Sequence, residues 1–153
     1  MSSRYDKPSQ SPGFMLWHVT LRWQRLMNAT LKEHGLTHVQ FVLLASTWWL
    51  TEHGEPPTQR QVADHAGTDV MMTSQVLRAL QQTHHLMRDA DPSDARSKRI
   101  RLTELGAQVL RDALPAVEDA DLQFFSPVSD LVCFTRGLDE LRHQETRRPP
   151  ITG

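Results

Sequence analysis

The sequence predicts a mostly helical α+β fold that includes one short antiparallel hairpin. Most segments place apolar residues at helical spacing, begin at a serine or threonine cap and end near a glycine. From residue 86 to residue 103 the period changes to two, and Arg99, Ile100, Arg101 and Leu102 alternate basic and apolar side chains, which is typical of strands. A chain of 153 residues, 39% of them apolar, is long enough for one compact core. We therefore expect one domain-sized fold rather than two independent domains.

The first helix is predicted from about Gly13 to Glu33. Ser11 followed by Pro12 is a start signal, because serine caps the first free N–H groups and proline fits the first helical position. Gly35 supplies the matching stop signal. Residues 1–10 are polar, and we expect them to form a flexible tail.

Two further helices each follow a capping box. Thr37 pairs with Gln40 and Thr58 pairs with Gln61, at the spacing that lets both side chains satisfy free backbone N–H groups. The segment after Thr37 is apolar nearly all round until Gly54. Such a helix is predicted to form the buried centre of the fold.

A fourth helix is expected to begin at a cap on Thr68 or Asp69 and to run to about Thr83. It is joined to the preceding short helix by a turn at Gly67, and this pair is typical of a helix-turn-helix. The polar residues predicted to face outward at its N-terminal half, and so to contact DNA, are Thr73, Ser74, Gln75 and Arg78.

The hairpin directly after this pair predicts the winged form of the helix-turn-helix, in which the hairpin reaches an adjacent groove of DNA. Turn-forming residues at 91–94 separate its two strands. The formal net charge of the whole chain is −1, which argues against nonspecific coating of nucleic acid. Basic residues are concentrated in the wing instead, and we expect them at the DNA face: Arg88, Arg96, Lys98, Arg99 and Arg101.

Two helices complete the predicted order. Thr103 caps a long helix that reaches roughly Asp121, and Pro115 is expected to bend or interrupt it. Ser126 with Pro127 is expected to open the last amphipathic helix, which runs to about His143. Residues 146–153 are expected to form a second flexible tail.

One motif in the wing has a specific resemblance. Asp94, Ala95 and Arg96, followed after five residues by Leu102 and Thr103, match the D-x-R-x5-L-T wing signature, so the chain resembles the MarR family of transcription regulators. Gly106 also lies where that family often has a glycine. The resemblance implies that Arg96, oriented by Asp94, enters a minor groove.

The resemblance further implies a symmetric dimer, with residues 11–35 and 104–145 as the dimerisation region and residues 37–103 as the DNA-binding region. It implies a regulator, most simply a repressor, that reads a pseudo-palindromic operator on duplex DNA. One departure concerns His84 and His85, where the family often has Gly-Leu. His84 is therefore expected to adopt a left-handed backbone conformation or to replace that turn.

Proteins of this family often respond to a small aromatic effector, and this chain offers aromatic side chains that suit a flat apolar ligand. The alternative is that these side chains belong to the core and the dimer interface. The candidates for ligand binding are Phe14, Trp17, Phe41 and Trp48.

Other classes of function receive less support. We find no catalytic motif, no cofactor motif, no compact metal-ligand pattern and no apolar run of membrane-spanning length, so we expect a cytoplasmic protein that is not an enzyme. Cys133, the single cysteine, lies in an apolar run that predicts a buried thiol. The alternatives left open are a dimeric interaction protein of the same fold without DNA binding and a metal-responsive regulator.

Overall fold

The computed structural model describes residues 3–91 and 98–143 and divides the chain into two compact units, Met1–Ala120 and Asp121–Gly153. It confirms the mostly helical α+β class with one two-stranded antiparallel sheet. After a short 3-10 turn at Pro8–Gln10, the elements are α1 Pro12–Lys32, α2 His38–Glu52, α3 Gln59–Ala66, α4 Val70–Gln82, β1 Leu86–Ala90, β2 Lys98–Leu102, α5 Glu104–Phe125 and α6 Leu131–Arg142.

The predicted capping boxes are present at the starts of α2 and α3. Thr37 Oγ1 accepts the backbone N–H of Gln40 at 3.3 Å, and the Gln40 side chain accepts that of Thr37 at 2.9 Å. Thr58 and Gln61 make the same reciprocal pair at 3.3 and 2.8 Å. At the start of α4, Asp69 is the capping residue, since its carboxylate accepts the N–H of Met72 at 2.8 Å.

The core lies in the first unit and gathers apolar side chains from α1 to α5 and both strands. Its members include Leu31, Phe41, Leu43, Leu44, Val62, Leu77, Leu80, Leu86, Ile100 and Leu110. As predicted, α2 supplies the centre, but it is not buried on every side. Trp48 and Trp49 are exposed, and the Trp49 ring stacks on His53 and His65 at centroid distances of 4.1 and 4.9 Å.

The hairpin pairs β1 with β2 in antiparallel register, from Leu86 opposite Leu102 to Ala90 opposite Lys98. Leu86 and Ile100 are buried and hold the sheet against the core. The connector between α2 and α3 also contacts β2, because the N–H of Ile100 donates to the carbonyl of Pro57 at 2.8 Å. The wing is therefore tied to the segment that opens the helix-turn-helix.

The C-terminal elements differ from the prediction at two places. The helix α5 continues through Pro115 to Phe125, so its predicted end near Asp121 is too early. The last helix does not open at Ser126: the Ser126 hydroxyl donates to the carbonyl of Gln123 at 2.9 Å, and α6 starts later, where the Asp130 carboxylate accepts the N–H of Cys133 at 2.8 Å. Asp130 can cap four residues further on, so the Ser-Pro signal is not used.

Cys133 itself is exposed within the chain, contrary to the prediction of a buried thiol. The neighbouring apolar side chains of α6, Leu131, Val132 and Phe134, are exposed as well. The sequence pattern correctly marked an apolar helix face, but this face is not covered within the described chain.

The turn between α4 and β1 places His84 in a backbone conformation that is costly for a residue with a side chain. His84 has a φ of 59°, the left-handed region that glycine favours. The start of α5 stabilises this turn: the Thr103 hydroxyl donates to the carbonyl of His84 at 2.6 Å, and the Thr103 N–H donates to that of His85 at 3.1 Å. A Cβ added to Gly106 would lie 1.8 Å from the His85 carbonyl oxygen, so only glycine fits there.

Replacing Gly106 by alanine should therefore lower the free energy of unfolding by about 2–3 kcal/mol, because backbone atoms of the His84–His85 turn must shift. The matched control is Gly137→Ala in α6, where an added Cβ meets nothing within 4 Å. That change should be neutral or stabilising by up to about 1 kcal/mol. Urea unfolding followed by circular dichroism at one protein concentration measures both, and equal stabilities would contradict the close approach.

Candidate nucleic-acid interface

The second helix of the helix-turn-helix, α4, buries one face and exposes the other. Gly67 ends α3 in the left-handed conformation with φ 66°, which allows the tight turn into α4. Leu77 and Leu80 point into the core, whereas Gln75 and Arg78 are exposed and Ser74 is half-buried. The helix thus presents polar side chains away from the body of the protein, as a recognition helix must.

Thr73 does not belong to this outward face, so the prediction that its side chain faces outward is wrong. The side chain is fully buried. Its hydroxyl donates to the carbonyl of Asp69 at 2.8 Å and lies 2.7 Å from the hydroxyl of Thr68. Residues 73, 77 and 80 are spaced so that they share one helix face, and that face is the buried one.

The exposed face of α4 also contains a residue that sequence reasoning missed. Met71 precedes Gln75 by four residues and Arg78 by seven, and its side chain is 76% exposed. We call Met71, Gln75, Arg78 and Gln82 the reading stripe; all four are exposed. The helical spacing from Gln75 could have identified Met71, but only polar side chains were considered as contacts.

Arg88 brings the wing against the recognition helix. From β1, its Nη2 donates to the carbonyl of Ser74 at 3.4 Å, while Arg78 Nη2 donates to the Ser74 hydroxyl at 3.0 Å. Within the described residues, the buried Arg88 Nε has no hydrogen-bond partner. Burial, and then the positive charge of Arg78, hold the pKa of Arg88 below its ordinary value. Two cations therefore converge on Ser74, an arrangement that favours an approaching anion.

Arg99, predicted as a further DNA contact, is not an outward cation. Its Nε lies 2.7 Å from a carboxylate oxygen of Asp91, its Nη2 lies 3.3 Å from that of Glu55, and its Nη1 donates to the carbonyl of Pro56 at 2.9 Å. The side chains of Arg99 and Asp91 are 19% and 4% exposed. We call this arrangement the Arg99 latch. The prediction was wrong because the alternating pattern cannot show that the connector reaches over β2.

The remaining predicted contacts of the wing fall into two groups. Lys98 is exposed, and Arg101 is half-exposed and lies 3.3 Å from Asp89. Asp94 and Arg96, the predicted residues of the wing tip, lie outside the described residues. The structure therefore brings Ser74, Arg78 and Arg88 together, with Gln75 and Lys98 exposed on the same two elements, α4 and the hairpin.

The predicted ligand-binding aromatics are not gathered into one cluster. Phe14, Trp17 and Trp48 are exposed, whereas Phe41 belongs to the core. Among the residues that the structure describes, ring contacts join Phe14 to His18 but do not join these four aromatics to one another. In the same part of the chain, no three histidine, cysteine or acidic side chains are grouped to hold a metal ion.

No helix among residues 3–91 and 98–143 has both the length and the apolar character required to cross a membrane.

Two short helices, α3 and the exposed recognition helix α4, with a hairpin packed beside α4, define a winged helix-turn-helix protein. No family model matches the chain. It is 41% identical over 143 residues to the uncharacterized HTH-type transcriptional regulator YdcH of Bacillus subtilis, covering 94% of this chain and 97% of that protein.

Solved structures of transcriptional regulators are also similar to this chain. A MarR-family transcriptional regulator from Rhodococcus sp. RHA1 is 28% identical, with a TM-score of 0.76 over 90% of this chain and 96% of that one. CouR from Rhodococcus jostii RHA1, solved with p-coumaroyl-CoA, is 28% identical, with a TM-score of 0.77 over 90% and 94%. The chain belongs to the MarR family of transcriptional regulators.

Replacing Arg99 by alanine should lower the free energy of unfolding by about 2–3 kcal/mol. The change leaves the buried Asp91 carboxylate without its guanidinium partner, and the partial exposure of Arg99 keeps the cost below that of a fully buried pair. The neighbouring Lys98→Ala is the matched control and should change stability by less than about 0.5 kcal/mol, because Lys98 is exposed. Equal urea midpoints for the two variants would show that the latch does not stabilise the wing.

Proposed function

We propose that this regulator is a repressor that binds duplex DNA sequence-specifically, as a homodimer on a pseudo-palindromic operator. The observation that carries the proposal is the exposed face of α4 beside the converging cations Arg78 and Arg88. Within the described residues, neither arginine forms a salt bridge with an acidic side chain. Cations without carboxylate partners beside a recognition helix suit the phosphates and base edges of DNA.

In the proposed complex, α4 lies in the major groove and its N-terminal half meets base edges. Gln75 and Arg78 would read base edges, since glutamine suits an adenine edge and arginine a guanine edge. Arg88 and Lys98 lie on the two strands of the hairpin, and their phosphate contacts would position the protein. For the wing tip, the family resemblance supports a minor-groove contact by Arg96, oriented by Asp94.

Dimerisation is supported by apolar side chains that the chain leaves exposed. On α1 these are Phe14, Met15, Leu16 and Trp17, and on α6 they include Leu131, Val132 and Leu141. Apolar surface of this kind marks interaction sites, and a second copy of the chain would cover it symmetrically. A dimer would place two recognition helices about one DNA turn apart, roughly 10 base pairs. Repression would then follow from occupying a promoter.

We also propose that a small aromatic effector regulates DNA binding. Trp17 and Trp48 are large aromatic side chains that the described chain leaves exposed, and the similar CouR was solved with p-coumaroyl-CoA.

Quenching of tryptophan fluorescence by p-coumaroyl-CoA would test the proposal of an aromatic effector. Quenching that is lost in Trp48→Phe and accompanied by release of DNA would support it, whereas unchanged fluorescence and unchanged DNA binding would count against this ligand.

The competing function is a dimeric interaction protein of the same fold that does not bind DNA. The two hypotheses differ in their response to salt. Binding to DNA phosphates releases counterions, so the logarithm of the binding constant falls linearly as the logarithm of the salt concentration rises. The converging pair of arginines favours DNA, since an interaction surface for a neutral protein gains nothing from two close, uncompensated cations.

We expect the protein to bind the duplex upstream of its own gene more tightly than a scrambled duplex, and to lose affinity as salt rises. Arg78→Ala should weaken binding to the preferred duplex by about 1–3 kcal/mol and thereby reduce the preference. Arg96→Ala should weaken binding to both duplexes alike. Fluorescence anisotropy at near-physiological salt measures all of these affinities.

The matched control is Arg111→Ala, which removes an exposed arginine of α5 that pairs with Glu104. It should leave both affinities unchanged. Failure of the unaltered protein to bind either duplex at micromolar concentration would favour the interaction-protein hypothesis.

A further inference from the structure

The first turn of the recognition helix exposes three consecutive apolar side chains. Val70, Met71 and Met72 are 51%, 76% and 37% exposed. Single exposed apolar residues are common, but a run of three at one end of a helix is a small patch that water solvates poorly. The same helix buries Leu77 and Leu80 in the core, so the patch is not part of the face that packs inward.

The patch is continuous with the polar part of the reading stripe. Met71 lies one helical turn before Gln75 and two turns before Arg78, on the same side of α4. The acidic residue next to it, Asp69, turns its carboxylate back onto the N–H of Met72. The surface around Met71 therefore combines apolar, amide and guanidinium groups without an acidic member of the stripe, which complements DNA rather than a basic protein surface.

The major groove presents one apolar group on base edges, the C5-methyl of thymine. Residues at the N-terminal end of a recognition helix are the ones that reach those edges. A methionine thioether is flexible and polarisable, so it can follow the position of a methyl group without demanding one geometry. We propose that Met71 reads thymine in each half-site by covering its C5-methyl, and that it is a specificity-determining residue of this regulator. The inference rests on the proposed function.

The test compares thymine with uracil, which pairs identically but lacks the C5-methyl. In the duplex that the protein prefers, each thymine is replaced in turn by deoxyuridine, symmetrically in both half-sites, and affinity is measured by anisotropy. We expect one position at which the change weakens binding about fourfold per half-site, the equivalent of one buried carbon at about 0.8 kcal/mol. At that position Met71→Ala should bind the two duplexes equally.

Comparing the thymine-to-uracil ratio in the two proteins separates the contact of Met71 from any effect of the methyl group on the shape of the DNA. Leu105→Ala is the matched control. It removes an apolar side chain, 50% exposed, from the first turn of a different helix, and it should keep the ratio of the unaltered protein. Because Met71 is exposed, its replacement should leave the thermal midpoint unchanged within experimental error.

Three outcomes would overturn the inference, and they are distinguishable. Equal binding of thymine and uracil duplexes at every position, with the preference over scrambled DNA intact, removes the methyl contact but keeps the proposed function. An unchanged ratio in Met71→Ala assigns the methyl contact to another residue. Absence of binding to any duplex removes the proposed function together with this inference.

Discussion

The carbonyl group of His85 determines how the hairpin leaves the recognition helix. It accepts the N–H of Thr103, and Gly106 approaches it so closely that a methyl group would not fit. The left-handed turn at His84 brings the chain to this point, and the Thr103 hydroxyl holds the His84 carbonyl from the other side. The end of α4 and the start of α5 are thus joined within a few ångströms. The direction of the wing follows from that junction.

A second attachment, the Arg99 latch, acts at the other end of the hairpin. It joins the residue before the wing tip, Asp91, to the connector that leads into α3. Removing one partner from such a pair is costly because the other charge stays buried, and the three contacts of Arg99 also hold the hairpin against the connector. With both ends of the hairpin held, the cations on the wing and those on α4 keep one spacing, as a surface that reads a fixed DNA helix requires.

The sequence predicted the elements that depend on local interactions. Capping boxes at Thr37 and Thr58 are decided by residues three positions apart, so they could be identified without the fold. Arg99 was misassigned because its partners Glu55 and Pro56 are distant in sequence. Thr73 was misassigned although its partners Thr68 and Asp69 are local, because its helical spacing with Leu77 and Leu80 was not used. The last helix started late because two local caps were available and the pattern could not rank Asp130 above Ser126. Met71 was missed because only polar groups were sought.

The side chains of the reading stripe lie outside the core, and this has a consequence for how such proteins diversify. Exposed positions can change with little effect on the free energy of folding. Met71, Gln75 and Arg78 can therefore be exchanged while the junction at His85 and the Arg99 latch stay as they are. After a gene duplication, the two copies could acquire different DNA preferences through a few substitutions on one helix, and neither copy would pass through an unstable intermediate.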